Sequence, residues 1–94
     1  MELNGNCRLL SDLERCEVFN INDGEKYNSL GSNDILIDEE GNLQYLIINL
    51  SQSRFNLFSS NNEFLEIPWD NVKKIGTKAI VLDIDDTQVK RTKL

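Results

Sequence analysis

Carboxylates are the residues whose types and spacing in this chain come closest to a chemical arrangement. Asp83 and Asp85 stand two apart at the end of the apolar run Ile80-Val81-Leu82, with Asp86 and Thr87 following. A strand that delivers two aspartates to one point could supply a nucleophile and an acid/base around Mg²⁺. That chemistry needs more: a parallel α/β sheet, a Ser or Thr and a Lys for the phosphate, and further acidic ligands from later strands. Only seven residues follow Thr87, and the segments before it read as hairpins rather than βαβ crossovers. The other acidic groups, Asp38-Glu39-Glu40 and the pair Glu63 and Glu66, read as solvated turn and strand residues. Asp38 to Gly41 lacks the alternating oxygen ligands and closing Glu of a calcium loop, and spacing alone argues no paired-carboxylate catalysis.

The chain has no histidine. That removes the usual general base, the usual zinc ligand and every Ser-His or Cys-His nucleophile. Cys7 and Cys16 fit neither a CxxC redox pair nor a zinc knuckle and are expected as free thiols. No catalytic residue, metal or cofactor is assigned. A net charge of −6 and a pI near 4.5 repel phosphate backbones and anionic membranes, so a protein partner is expected and nucleic acid is not. No run is long enough to insert in a bilayer and no N-terminal stretch resembles a signal peptide, which points to a cytoplasmic protein.

The elements that must position these residues follow from alternation and turn signals. Ninety-four residues leave room for one core, here a domain over 7–85 between a short tail at 1–6 and a basic, solvated tail at 86–94 carrying Lys90, Arg91 and Lys93. Hydrophobic residues at 39% and charged residues at 28% are ordinary for a globular chain and argue against disorder. Ser11 is placed to cap a helical turn holding Leu10 and Leu13. Cys16 to Ile21 reads as a strand ending in an Asp23-Gly24 turn. Tyr27 to Asp38 reads as one long strand bent at Gly31. After the Glu40-Gly41-Asn42 turn, Leu43 to Leu50 is apolar on both faces and is the expected core strand.

Glu63 to Ile67 alternates again and stops at Pro68; Trp69-Asp70-Asn71 turns into Val72 to Ile75, and Gly76 is expected to take a left-handed conformation before the closing strand Ala79 to Ile84. Six short strands predict an all-β fold, a small antiparallel barrel or sandwich. Trp69 is expected to plug one end of the core. Phe55, Leu57 and Phe58 interrupt the polar stretch from Ser51 to Asn62; they either complete the core or form a docking or dimer surface, and are the candidate interaction residues. Asparagine is frequent throughout, and its frequency alone assigns no function.

The order of these features resembles a known family. An LLSDL turn, a strand ending in DG, Leu30-Gly31, Asp34 to Asp38, Gly41, an apolar strand, and then Ile67-Pro68-Trp69-Asp70-Asn71-Val72-Lys73-Lys74-Ile75-Gly76 are similar to the PRC-barrel domain. Within it the order is similar to that of the YlmC/YmxH group of stand-alone PRC-barrel proteins, which is associated with sporulation. The likeness covers Cys7 to Asp85 and is most specific in the IPW and KKIG segments. It implies a small six-stranded antiparallel β-barrel with no catalytic residues, working as a docking module that binds a protein partner or a second copy as a homodimer. Gly31, Asp34, Gly41, Pro68, Trp69 and Gly76 are then structural signature positions. An alternative within the same likeness is the ribosome-maturation factor RimM, an adaptor in RNA and ribosome metabolism, which the acidic charge disfavours. The LDIDDT segment also resembles the first motif of haloacid-dehalogenase-type phosphatases, a remote alternative for the reasons of length and topology given above.

Overall fold

Strand β1 (Glu17–Asn20) sends every second side chain inward, so Cys16, Val18 and Asn20 are buried while Glu17 is exposed. These are residues of the computed structural model, which describes 7–50, 63–85 and 87–93. The chain turns back into β2 (Lys26–Ser29) through Gly24, whose φ of +77° lets its N–H donate to the Asn20 carbonyl at 2.8 Å. A 3-10 turn over Leu30–Ser32 leads to β3 (Asp34–Ile37), which forms a hairpin with β4 (Leu43–Asn49). In the turn between them Asp38 Oδ1 accepts the N–H groups of Glu40 and Asn42, each at 2.9 Å, and Gly41 adopts φ +88°. Beyond come β5 (Glu63–Pro68), a 3-10 turn over Trp69–Asn71, β6 (Val72–Ile75), β7 (Ala79–Leu82) and β8 (Lys90–Lys93). Helix α1 (Leu10–Leu13) is a single turn before β1.

The strands form two four-stranded sheets, ordered β2-β1-β7-β6 and β3-β4-β5-β8. Val18, Ile80 and Leu82 of the first sheet and Leu46, Ile48, Leu65 and Ile67 of the second make one shared apolar core. Each such side chain contributes about 1.5–3 kcal/mol when fully buried, so this layer dominates the stability of so short a chain.

The all-β expectation therefore holds, while the six-stranded antiparallel barrel does not. Eight strands are present among the described residues, no pairing there joins one sheet to the other, and β1 runs parallel to β7, with Glu17 opposite Ala79 and Asn20 opposite Leu82. The segment between β1 and β7 builds most of the second sheet, and a crossover of that length returns a strand in the same direction.

Four local expectations are also corrected. The long bent strand is two strands in different sheets, because the 3-10 turn at Leu30–Ser32 carries the chain across. Ser11 lies inside α1, whose N-cap is Leu9 without a side-chain cap bond. Gly76 has no left-handed φ; its missing Cβ instead makes room for the Ala79 carbonyl, which a Cβ would meet at 3.2 Å. The basic tail expected to be solvated forms β8 at the edge of the second sheet, where acidic β5 supplies its partners.

Among the described residues the chain passes between the sheets three times, and each passage is tied by an asparagine amide. Asn33 donates to the carbonyls of Tyr27 (2.8 Å) and Ser29 (2.9 Å) and accepts from the Asn49 N–H (2.9 Å), joining β2 to β4. Asn71, after β5, donates to the Asp83 carbonyl at 3.3 Å and accepts the Asp83 N–H on its own carbonyl at 3.1 Å. Asn20 holds both the N–H and the carbonyl of Ile84, each at 3.1 Å, where the chain leaves β7 for β8. Backbone leaving a ladder keeps its hydrogen bonds in this way instead of burying unpaired groups.

Candidate interaction surface

Asp83 and Asp85 follow β7 and are committed to turn structure. Asp83 Oδ1 accepts from Asn22 Nδ2 at 3.4 Å. Asp85 Oδ1 accepts both the hydroxyl and the N–H of Thr87, and the Asp85 carbonyl takes the Gln88 N–H at 3.0 Å. The Thr87 hydroxyl and then its N–H hold the Asp85 carboxyl below its ordinary pKa. Asp38 is lowered in the same way, first by the Asn42 N–H and with help from Glu40 and Gln44. Among the described residues no group of three His, Cys, Asp or Glu side chains stands close enough to share a metal ion. Cys7 is exposed and Cys16 buried, both as free thiols.

Strand β8 is tied to acidic residues of β5 by side chains. Arg91 Nη1 meets Glu63 Oε1 at 3.2 Å, and Thr92 Oγ1 donates to Glu66 Oε2 at 2.6 Å. Glu63 and Glu66, read from sequence as surface carboxylates, thus order an edge strand.

The residues expected from the resemblance as signature positions fall at corners, turns and strand ends. Gly31 sits where the 3-10 turn touches the α1–β1 link: its N–H donates to the Glu14 carbonyl at 3.0 Å, and a Cβ there would meet that oxygen at 3.1 Å. Asp34 opens β3, its Oδ1 accepting the Ile35 N–H at 2.8 Å. Gly41 and Gly76 serve the β3–β4 and β6–β7 turns. Pro68 ends β5 opposite Tyr45, and Trp69, half-buried, packs against the core at the crossing to β6. Phe55, Leu57 and Phe58 lie outside the described residues.

What sequence reading missed is the apolar surface of the β3–β4 hairpin. Leu36 lies opposite Tyr45 and Ile37 opposite Leu43, and all four are exposed. The signal was present in Ile35-Leu36-Ile37, a consecutive apolar run that no single sheet face can bury. No helix among the described residues is long and apolar enough to cross a membrane.

Two sheets around one small core, crossed at corners that carry the Leu30-Gly31 and Pro68-Trp69 pairs, define the class: the PRC-barrel domain profile matches residues 8–89, and the chain belongs to that family. Two curated Bacillus subtilis (strain 168) proteins are similar to it along most of their length. One is named "Probable sporulation protein YlmC", 30% identical over 77 residues that span 82% of this chain and 93% of that protein. The other is named "Uncharacterized protein YmxH", 31% identical over 78 residues that span 82% of this chain and 89% of that protein. No solved structure gives a significant match.

Proposed function

We propose that this chain is a non-catalytic docking module of PRC-barrel type that binds a cytoplasmic protein partner in sporulation. The observation that carries the reading is the exposed apolar surface of β3 and β4, formed by Leu36, Leu43 and Tyr45 on an otherwise acidic protein. Adjacent exposed large side chains on neighbouring strands are characteristic of recognition surfaces, in which aromatic and aliphatic anchors supply most of the binding energy. Membership of the PRC-barrel family and the name of the YlmC relative support the docking role and the sporulation setting respectively. Phe55, Leu57 and Phe58 are proposed as further interaction residues, on their apolar character within a polar stretch of sequence.

The test is affinity capture of the tagged chain from sporulating-cell lysate beside light scattering of the pure protein over a concentration series. A stoichiometric protein partner, or a homodimer, that is lost on Leu36→Ser with Tyr45→Ser, or on Phe55→Ser with Phe58→Ser, is the expected result, with the far-UV spectrum unchanged. A monomer that captures nothing removes this account of the molecule.

A further inference from the structure

Between α1, the 3-10 turn at Leu30–Ser32 and β3 lies an open groove of about 290 Å³. Its floor and walls are Leu10, Leu30, Ile35 and Ile37, of which Leu10 is 62% and Ile37 55% exposed. Two acidic residues, Glu14 and Asp34, are among the lining residues, which include no Lys or Arg. Among the described residues neither is in an ion pair, the one such pair being Arg91 with Glu63. An apolar trough bordered by unpaired acid, on a chain of net charge −6, is complementary to a segment that carries apolar and basic side chains together. Its volume is at the low end of ligand pockets and suits the side chains of a short peptide.

The edge of β3 also says how such a segment binds. Asp34 Oδ1 already accepts the Ile35 N–H at 2.8 Å, so this edge meets a newcomer with a carboxylate instead of an open backbone donor. Recognition is then by side chains and charge, not by adding a strand.

We propose that the groove between α1 and β3 docks a short cationic, apolar segment of a partner protein, its aliphatic or aromatic side chains filling the trough and its Lys or Arg lying against Glu14 and Asp34. This rests on the docking-module reading and adds to it a second contact site, separate from the Leu36 and Tyr45 face, with the chemistry of the segment it takes. Gly31 maintains the groove, because its N–H on the Glu14 carbonyl fixes the distance between the two walls and leaves no room for a side chain.

The experiment is an amide-resolved NMR titration of the full chain with two synthetic probes, an amidated Lys-Leu-Lys-Phe-Lys peptide and its charge-inverted Glu-Leu-Glu-Phe-Glu counterpart. The cationic peptide is expected to shift the amides of residues 10–14 and 33–37 saturably, with a dissociation constant on the order of 100 µM, weakened by added salt. Glu14→Lys with Ile37→Ser should weaken it about tenfold or more while the rest of the spectrum stays in place. Equal shifts from both peptides, shifts centred on Leu36 and Tyr45, concentration-dependent shifts at the groove without peptide (a second copy there), or no shifts at millimolar peptide would each overturn the proposal. Lysate capture with the same double variant separates the two readings. A partner held by the wild type and lost by the variant is expected; one held equally by both keeps the docking module and removes the groove, and none held by either removes the module itself.

Discussion

At 1% exposure, Asn20 carries the most demanding polar side chain in the core. Its Nδ2 donates to Asp23 Oδ1 and to the Ile84 carbonyl, and its Oδ1 accepts the N–H groups of Asn22 and Ile84. One amide therefore closes the β1–β2 turn and fastens the exit of β7. Asn20→Ala leaves both backbone groups of Ile84 buried without partners, which costs about 1–3 kcal/mol for each group so stranded. Urea denaturation should show the midpoint falling with no change in slope, and a loss below about 0.5 kcal/mol, the level of an ordinary surface substitution, would mean that water takes over the role. Sequence reading placed Asn20 in a strand from Cys16 to Ile21 and gave it no role; the structure puts it at an inward position with Cys16 and Val18. Its main partner, Ile84, is distant along the chain and no local pattern announces it. The same holds for Asn33 and Asn71: asparagine was abundant to the eye, but its use at the three crossings is a property of the fold.

Strands with alternating or continuous apolar residues were legible as elements because burial of one face leaves a period of two. That is how β1, β4, β5 and β7 were found close to their observed limits. Strand β8 was not, since Lys90-Arg91-Thr92-Lys93 has no apolar face; its order comes from pairing with β5, in the register Glu63 with Lys93 through Glu66 with Lys90. The complementary charges on the two segments were the available clue, though exposed ion pairs contribute only a few tenths of a kcal/mol each. Arg91→Ala should therefore matter little, whereas deletion of residues 90–94 removes the whole ladder and bares the edge of β5. We expect that truncation to lose about 1–3 kcal/mol of stability, the sum of a few cross-strand pairs, and to self-associate through the uncovered edge. Thermal denaturation and light scattering measure the two effects; a truncated chain that melts and scatters like the intact one would show that β8 adds nothing to the sheet.

For the whole molecule, length and alternation led to one all-β domain, and the residue order at its corners led to the PRC-barrel family. The parallel contact of β1 with β7 was beyond that reasoning, because alternation fixes which face a strand buries and not which neighbour it takes. The contact has a consequence for folding. The first strand of the chain meets its central partner only after the segment that builds β3, β4 and β5 has been placed, and the shared core draws Val18 and Ile80 together with Leu46 and Ile67. Neither sheet has a core of its own, so neither should persist without the other. Trp69, packed at the crossing from β5 to β6, reports on that junction, while far-UV circular dichroism reports on all strands. The two signals should follow one denaturation curve with coincident midpoints, and a chain ended at residue 78, before β7, should lack both sheets. Separate midpoints, or a folded second sheet in the shortened chain, would mean that β3, β4 and β5 hold together without the β1–β7 pair, and the molecule would then be two cooperating layers in place of a single unit.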